Sequence, residues 1–243
     1  MERKVICITG AAQGIGLATA EYLAARGATI SLCDLSFGKG SNAVYSSSLD
    51  GLETMKMYAD VCDPESVKAW IEATVEKFGR LDGCVNNAGV IPRKMVPITE
   101  MELDDWNRVV NVNLTGVFSC LKYELQHIVD GGSIVNIASV AGLKGYPNFS
   151  SYVASKHGVV GLTKTAACEG AARKIRVNAC THSNCHAYAP RRGGLLPQGG
   201  LPTMLLHKVG EPEEVAVSIA FFLGDEAKFL TQVIHPVDGG LSG

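Results

Sequence analysis

A tyrosine and a lysine four residues apart, Tyr152 and Lys156, are the residues of this sequence best suited to move a proton. In a helix, residues i and i+4 lie on the same face, so the lysine ammonium would lie beside the phenol. A free phenol has a pKa of about 10 and is a poor base at neutral pH, but a nearby cation favours its ionised form. The pair therefore predicts acid–base chemistry at a substrate oxygen, on condition that a helix carries both side chains.

A glycine-rich segment near the N-terminus is a candidate binding site for phosphate groups. Gly10, Gly14 and Gly16 follow a short apolar run and precede a segment with helical spacing. Glycines allow a tight turn and a close approach of the backbone to a pyrophosphate, while the N-terminus of a helix presents aligned N–H groups. The spacing differs from the commoner G-x-G-x-x-G, and an ordinary strand–helix turn could contain the same glycines. Their position between the first strand and the first helix favours dinucleotide binding.

Asp34, at the end of the second apolar run, predicts which dinucleotide is bound. A carboxylate there can accept hydrogen bonds from both hydroxyls of the adenosine ribose and would repel a 2′-phosphate. None of Gln13, Leu35 and Ser36 is the Arg or Lys that a 2′-phosphate would need. The alternative is that Asp34 only caps a turn. We therefore expect NAD, with NADP as the less favoured cofactor.

The segments that would position these residues alternate between short apolar runs and helical spacing. The runs predicted as strands are Val5–Ile8, Thr29–Cys33, Met55–Tyr58, Gly83–Asn86, Ser133–Ile137, Arg176–Ala179 and Val233–Val237. The segments predicted as helices are Ile15–Arg26, Pro64–Phe78, Asp104–Gln126, Tyr152–Gly170 and Glu211–Leu223. Near-continuous apolar strands separated by helices indicate a parallel sheet covered on both faces. Because no Pro/Ser-rich linker divides the chain, the sequence predicts one α/β domain over residues 1–243, with a doubly wound, Rossmann-type, mostly parallel sheet.

The composition excludes several classes of protein. The net charge is −2 and no run of like charges occurs, so neither a nucleic-acid partner nor an anionic membrane surface is expected. No apolar run approaches the ~20 residues of a membrane span, and the apolar segment after Lys4 is too short for a secretory leader. We expect no metal, because the close group Cys180, His182, Cys185 and His186 lacks the spacing of zinc ligands. A cytoplasmic protein is expected.

Residues 180–210 form a long segment without a clean period, which contains Pro190, Pro197 and Pro202. Such a segment inside a compact domain is usually a lid or a binding loop, so we expect an irregular substrate lid. Apolar and aromatic side chains dominate it and the loops after the fourth and fifth strands, which favours a lipophilic secondary alcohol or ketone as substrate. The alternative is that the lid residues only pack onto the body. The residues predicted to line the substrate are Ile91, Tyr146, Phe149, His182 and Tyr188.

Taken together, these motifs make the chain similar to the short-chain dehydrogenase/reductase family in its compact single-domain form. The resemblance runs from Val5 to Asn178 and resumes from Val209 to Gly240. It implies that the glycine turn binds the cofactor pyrophosphate, that Asp60 and Val61 flank the adenine, and that the segment after the fourth strand lines the inner side of the cofactor. The residues implied to hold the cofactor are Gly10, Gln13, Gly14, Ile15, Gly16, Asp34, Asp60, Val61, Asn87, Ala88, Gly89, Tyr152 and Lys156.

The resemblance also implies catalytic roles for Asn113, Ser139, Tyr152 and Lys156. In that family the tyrosine takes the alcohol proton as a hydride leaves the carbinol carbon for the nicotinamide, or returns it in the reverse direction. Lys156 would lower the pKa of Tyr152 and bind the nicotinamide ribose, while Asn113 would hold a water and Ser139 the substrate oxygen. We therefore expect an NAD(H)-dependent alcohol dehydrogenase or ketoreductase that forms a homotetramer or homodimer.

The chain departs from this family after the sixth predicted strand. Where the family has a Pro-Gly pair and then a Thr that orient the nicotinamide, this chain has His182, Ser183 and Ala187. Ser adopts a positive φ less readily than Gly, and Ala has no hydroxyl. Gln232 also replaces a usual glycine. Three explanations stay open: His182 or Asn184 anchors the carboxamide, the loop orders only with ligand, or the pocket serves a non-redox enzyme (isomerase, lyase or cyclase) or a ligand-binding protein.

Overall fold

A seven-stranded sheet forms the centre of the molecule in the computed structural model, which describes residues 1–38, 49, 51–183 and 204–242. The strand order is β3-β2-β1-β4-β5-β6-β7, and every neighbouring pair is parallel. The order reverses between β1 and β4, which is where ligands bind in doubly wound sheets. The strands are β1 Val5–Thr9, β2 Thr29–Asp34, β3 Thr54–Tyr58, β4 Gly83–Asn86, β5 Ser133–Ile137, β6 Arg176–His182 and β7 Ile234–Val237.

Helices follow the strands and cover both faces of the sheet, so the predicted fold class is confirmed. The segment predicted as a single helix over Asp104–Gln126 is divided: a π turn, Asn111–Thr115, separates two α-helices. The α-helices are α1 Gly14–Ala24, α2 Pro64–Phe78, α3 Leu103–Val110, α4 Gly116–His127, α5 Ser150–Gly170 and α6 Pro212–Leu223.

The core consists of two apolar layers, one on each face of the sheet. On one face, Ile8 and Ile30 pack with Leu223 of α6 and with α1. On the other face, Trp70 of α2 and Val159 of α5 belong to a second layer with α4. All residues of β1 and β5 are buried, because in a parallel sheet with helices on both faces neither face meets water.

The sixth strand is longer than its apolar run predicts. Cys180, Thr181 and His182 continue β6 in register with β7, so the irregular segment begins after them. Most of the predicted lid, residues 184–203 with Tyr188, lies outside the described residues. Within the described ranges, no helix is long and apolar enough to cross a membrane, and no group of three or more His, Cys, Asp and Glu side chains could hold a metal ion.

Candidate active site

At its three glycine positions, the turn between β1 and α1 has no room or no allowed conformation for a larger residue. Gly10 and Gly14 have φ of 61° and 58°, in the left-handed region that favours glycine. A Cβ on Gly16 would lie 2.4 Å from the Gly10 carbonyl oxygen and 2.6 Å from Nδ2 of Asn87. Gln13 precedes α1 in an extended conformation and makes no side-chain cap to the helix in the described structure, so its side chain does not occupy the N–H groups of the first turn. This is the geometry of an anion site at a helix N-terminus.

Asn87, predicted to line the cofactor, holds the glycine turn in place. Its Nδ2 donates to the carbonyl oxygens of Thr9 at 3.0 Å and Gly10 at 2.9 Å. In return, the Thr9 hydroxyl oxygen accepts from the N–H groups of Asn87 at 2.9 Å and Ala88 at 3.0 Å. The segment Asn87–Gly89 is therefore fastened to the end of β1, directly beside the turn.

Asp34 joins the end of β2 to the same turn. Its Oδ2 accepts from the N–H of Ala12 at 3.1 Å, while Oδ1 accepts from the N–H and hydroxyl of Ser36 at 2.9 and 2.7 Å. The carboxylate thus caps the short turn that starts at Leu35, which is the structural alternative considered from the sequence. Its place at the carboxyl end of β2, within reach of the glycine turn, is also compatible with a ribose partner.

Asp60 and Val61 lie at the same edge, after β3. Oδ1 of Asp60 accepts from the N–H of Cys62 at 2.9 Å, which closes a turn. Val61 is buried against the start of α4, where a Cβ on Gly116 would lie 2.9 Å from its side chain. At the carboxyl ends of the neighbouring strands β1, β2 and β3, the glycine turn, Asp34 and the turn at Asp60 therefore follow one another across the sheet.

Tyr152 and Lys156 lie on α5 and are both buried. The Lys156 ammonium donates to the carbonyl oxygen of Ile137 at 2.7 Å and lies 5.7 Å from the centroid of the Tyr152 ring. Burial lowers the pKa of Lys156 to about 8, so the group is largely charged at neutral pH. The Tyr152 ring meets Phe149 edge-to-face, with 5.5 Å between the ring centroids. The cation is thus fixed one helical turn from the phenol.

Ser139 begins the turn that follows β5. Its Oγ accepts from the N–H of Ala141 at 3.2 Å and donates to the carbonyl oxygen of His182 at 3.5 Å. The side chain is buried at the carboxyl edge of the sheet. The end of β5 therefore supplies the Ile137 carbonyl that holds Lys156, and the turn after it supplies Ser139.

Asn113 lies in the π turn between α3 and α4, and such turns recur at functional sites. Its Oδ1 accepts from the Val90 N–H at 2.8 Å, and its Nδ2 donates to the Val90 carbonyl at 2.9 Å and to Oγ of Ser155 at 3.3 Å. Ser155 in turn donates to the Tyr152 carbonyl at 2.8 Å. The amide therefore links the loop after β4 to the helix that carries the tyrosine.

His182 ends β6 beside Lys156 and Ser139. Its Nδ1 pairs with the Ser183 carbonyl at 2.9 Å. Burial lowers the pKa of His182 to about 4, against the effect of that hydrogen bond, and the Lys156 ammonium lowers it further. The imidazole is therefore neutral at physiological pH.

The other departures from the family are accommodated differently. Ser183 does not have a positive φ, so the backbone at this position does not require the conformational freedom of a glycine. Gln232 does adopt a positive φ of 64°, and its Nε2 donates to the carbonyl of Lys164 on α5 at 3.2 Å. Asn184 and Ala187 lie outside the described residues.

Three of the predicted substrate-lining residues form one apolar cluster around the phenol. Ile91, Tyr146 and Phe149 pack with Tyr152. The buried hydroxyl of Tyr146 has no hydrogen-bond partner among the described residues, and burial together with the Asp238 charge raises its pKa. The part of this wall that the structure describes is therefore mostly apolar and includes the Tyr146 hydroxyl.

Sequence reasoning missed the ion pair between Asp105 and Arg108 of α3, whose two side chains fix the loop after β4. Asp105 accepts from the Arg93 N–H at 2.7 Å, and Arg108 donates to the Ile91 carbonyl at 2.6 Å. Burial would raise the pKa of Asp105, but the bonds from Arg108 and Arg93 bring it below its ordinary value. The only signal in the sequence was an acidic and a basic residue at i and i+3 of α3, which is common on solvated helix faces.

Comparison with known proteins identifies the family of the chain. A family model described as enoyl-(acyl carrier protein) reductase matches residues 10–242. The chain is 43% identical to "Short-chain dehydrogenase/reductase ABA4" of Pyricularia oryzae, over 97% of this chain and 91% of the relative. It is 39% identical to a cyclohexanol dehydrogenase of Acinetobacter sp. strain SE19, over 97% of this chain and 94% of the relative. The crystal structure of levodione reductase matches with a TM-score of 0.88 at 36% identity, covering 100% of this chain and 98% of that chain.

The chain therefore belongs to the short-chain dehydrogenase/reductase family. It is an enzyme of the oxidoreductase kind.

Proposed function

We propose that this oxidoreductase interconverts a lipophilic secondary alcohol and its ketone with NAD(H), using Tyr152 as the acid and base. The observation that carries the proposal is the buried Lys156 ammonium, fixed on the Ile137 carbonyl and 5.7 Å from the centroid of the Tyr152 ring. A cation in a dry site favours the phenolate, which can take a proton from an alcohol. Ser139, on the neighbouring strand end, is the proposed donor to the substrate oxygen.

The residues at the sheet edge fit a dinucleotide. The left-handed glycines and the crowding at Gly16 leave a cradle that a Cβ would fill, and the N-terminus of α1 supplies N–H donors to a pyrophosphate. When bound, the nicotinamide supplies or accepts the hydride. The residues proposed to hold the cofactor are Gly10, Gln13, Gly14, Ile15, Gly16, Asp34, Asp60, Val61, Asn87, Ala88, Gly89, Tyr152 and Lys156.

Asn113 is proposed to hold the water that carries protons between Lys156 and solvent. Both hydrogens of its amide are already used, by the Val90 carbonyl and Ser155. We therefore expect the water to bind the main-chain carbonyl of Asn113 or the remaining lone pair of Oδ1. The π turn favours the main-chain carbonyl, because it interrupts the regular helical hydrogen bonding there.

The substrate class is proposed from the walls of the site and from the relatives. Ile91, Tyr146 and Phe149 form an apolar wall beside Tyr152, and His182 is neutral beside Ser139. Two relatives are named for cyclic compounds, a cyclohexanol dehydrogenase and a levodione reductase. These observations support a cyclic secondary alcohol or ketone without a charge near the reacting carbon.

Oxidation of cyclohexanol tests the proposal directly. We expect the purified protein to reduce NAD in the presence of cyclohexanol, followed as absorbance at 340 nm, and to use NADP more slowly. Fluorescence titration with NADH measures cofactor binding without turnover. A protein that neither binds NADH nor reduces NAD with cyclohexanol or larger cyclic alcohols would contradict the proposed activity.

Replacement of Asp34 tests the choice of cofactor. In Asp34→Asn, the amide oxygen can still accept from Ser36, while the bond from the Ala12 N–H is lost together with the charge that repels a 2′-phosphate. We expect the ratio of the Kd for NADPH to the Kd for NADH to fall by about tenfold or more, since like charges in a binding site are strongly unfavourable. Asp63→Asn, at the exposed cap of α2, is the matched control and should leave the ratio unchanged. An unchanged ratio in Asp34→Asn would show that this carboxylate only caps its turn.

We also propose that the protein is a homo-oligomer. Val217 and Phe221 are exposed one turn apart on α6, Phe229 is fully exposed, and β7 is an edge strand. Exposed apolar side chains, together with a strand that has no outer neighbour among the described residues, support association between copies. Sedimentation velocity should give a dimer or tetramer, and a monomer at micromolar concentration would contradict this expectation.

A further inference from the structure

A buried carboxyl group, Glu124 of α4, lies beneath the active site and has no part in the chemistry described above. It is completely buried. Nδ2 of Asn86, the last residue of β4, donates both to Oε2 of Glu124 and to Oδ1 of Asn136, each at 2.9 Å. Asn86 and Asn136 are direct partners in the register of β4 and β5. One amide thus links a helix to two neighbouring strands.

The chain of hydrogen bonds continues into α5. Nδ2 of Asn136 donates to Oγ1 of Thr163 at 2.9 Å, and Thr163 donates to the Val159 carbonyl at 2.8 Å. The chain therefore runs from α4 through β4 and β5 to α5. We call Glu124, Asn86, Asn136 and Thr163 the buried polar chain.

Two atoms of this chain indicate the protonation state of Glu124. Among the described residues, neither Oδ1 of Asn86 nor Oε1 of Glu124 has a hydrogen-bond partner. With an ionised carboxylate, both atoms are acceptors and neither can satisfy the other. A proton on Oε1 would supply the missing donor: Oε1 would then pair with Oδ1 while Nδ2 donates to Oε2, as in the cyclic pair of a carboxylic acid and a primary amide. The second hydrogen of Nδ2 remains directed to Asn136.

The surroundings also favour the neutral acid. The titratable groups that face Glu124 are the thiols of Cys7 on β1, Cys33 on β2, Cys84 on β4 and Cys120 on its own helix. No cation contributes to its pKa in the part of the chain that the structure describes. Burial raises the pKa of Glu124 to about 7, although the hydrogen bond from Asn86 and the nearby Cys84 thiol lower it.

Each element joined by the buried polar chain carries part of the candidate site. α4 follows the π turn with Asn113, and β4 leads into Asn87, which holds the glycine turn. β5 ends at Ile137, whose carbonyl holds the Lys156 ammonium, and α5 carries Lys156 itself. A displacement of Asn86 against Asn136 would shift these anchors relative to one another.

We propose that Glu124 is a positioning residue for the reaction: as the neutral acid it pairs with Asn86 and so fixes the ends of β4 and β5, which place Asn87 and Lys156. This role rests on the proposed dehydrogenase function. An ionised Glu124 loses the cyclic pairing and leaves a buried negative charge with few donors, which strongly destabilises its surroundings. The ends of β4 and β5 then separate or admit water.

Two substitutions of Glu124 separate the hydrogen-bonding role from the charge. Glu124→Gln is neutral at every pH and can form the same cyclic pair, with its Nε2 donating to Oδ1 of Asn86. Glu124→Leu fills the space but leaves the Asn86 amide without its acceptor. Glu169→Gln, on an exposed position of α5, is the control for a change of charge alone.

Kinetics with NAD and cyclohexanol between pH 6 and 9 form the first readout. We expect the rate ratio of Glu124→Gln to wild type to be near one at pH 6 and to rise by about three- to tenfold at pH 9. Glu124→Leu should show a lower kcat and a weaker affinity for NADH at all pH values. The ratio for Glu169→Gln should not change with pH. Flat ratios for Glu124→Gln, or a Glu124→Leu enzyme equal to wild type, would overturn the proposal.

A second readout needs neither substrate nor cofactor. In ¹³C NMR, one glutamate carboxyl carbon should titrate near pH 7 in wild type, and this signal should be missing in Glu124→Gln. The ordinary pKa of 4.5 is raised in the folded protein, so the stability from the bound proton is complete below pH 4.5 and is lost as pH rises through about 7. The Tm of wild type should therefore fall relative to that of Glu124→Gln between these pH values. A Glu124 signal that titrates near pH 4.5 would also overturn the proposal.

The outcomes distinguish this role from the proposed function itself. If wild type neither binds NADH nor oxidises cyclohexanol, the proposed function is wrong, and the positioning role that depends on it is wrong as well. If wild type does both and the Glu124 variants have the same NADH affinity and the same pH profile of the rate, only the role of Glu124 is wrong. If Glu124→Leu does not fold, the pH profile of Glu124→Gln alone tests the positioning role of Glu124.

Discussion

Tyr152→Phe should abolish turnover while leaving cofactor binding intact. The substitution removes only the phenol oxygen, and the buried ring would keep its edge-to-face contact with Phe149. Without that oxygen, the alcohol proton has no acceptor beside the Lys156 ammonium, which is held on the Ile137 carbonyl. General acid–base groups typically contribute about 10²–10⁴-fold to a rate, so kcat with cyclohexanol and NAD should fall by at least that range. The Kd for NADH, measured by fluorescence, should change by less than about threefold because the glycine turn is untouched.

Tyr123→Phe is the matched control for this experiment. Tyr123 is also buried, but it lies on α4 and packs in the core layer that contains Trp70. We expect its kcat to remain within about twofold of wild type. Full activity of Tyr152→Phe would exclude the phenol as the acid and base. A loss of NADH binding equal to the loss of rate would show that the phenol only helps to hold the cofactor and is not the acid and base.

The fold could be predicted from the sequence because its main signals are local. Buried parallel strands are continuous apolar runs, such as Val5–Ile8, and the helices between them have clear apolar spacing. Strand ends were less certain: residues 180–182 include polar side chains, yet they are buried and continue β6. The π turn at Asn111–Thr115 gave no local signal, since its sequence continues the helical pattern on both sides.

The residues of the candidate site could be identified from the sequence, but their partners could not. Asn113 pairs with the Val90 backbone, and Asn87 holds the Gly10 carbonyl, across separations of the chain that only the fold defines. Asp34 showed why a motif alone leaves alternatives open: the structure shows that it caps a turn, and its role toward a ribose stays a prediction. Ser183 showed the reverse, because the strain expected from replacing a glycine does not occur.

Glu124 illustrates a signal that the sequence contained and that pattern reading passed over. It lies one helical turn after Cys120 and Leu121, within the apolar face of α4. A carboxyl group at such a position must find a partner or remain protonated, because an unpaired charge is very unfavourable in the core. Its partner, Asn86, directly precedes the recognised Asn87–Gly89 segment, but only the fold brings the two side chains together.

The second large effect is expected for Gly16→Ala in the glycine turn. The new Cβ would lie 2.4 Å from the Gly10 carbonyl oxygen and 2.6 Å from Nδ2 of Asn87. Neither neighbour can move freely, because Gly10 has a left-handed φ and Asn87 is bonded to both Thr9 and Gly10. Overpacking of this kind typically destabilises a protein by about 1–3 kcal/mol. We expect a lower Tm and, since the turn must open to accept the methyl group, a Kd for NADH raised by about 100-fold or more.

Gly161→Ala is the control that separates crowding from the general effect of adding a methyl group. Gly161 lies on an exposed position of α5, and a Cβ there has no heavy atom within 4 Å. Alanine is favoured over glycine within a helix by up to about 1 kcal/mol, so this variant should be as stable as wild type or more stable, with unchanged NADH affinity. If Gly16→Ala lowered the Tm but bound NADH as tightly as Gly161→Ala, the turn would be needed for folding alone. The pyrophosphate would then have to bind elsewhere on the sheet edge, because a displaced Gly10 backbone cannot keep the N-terminus of α1 in place for it.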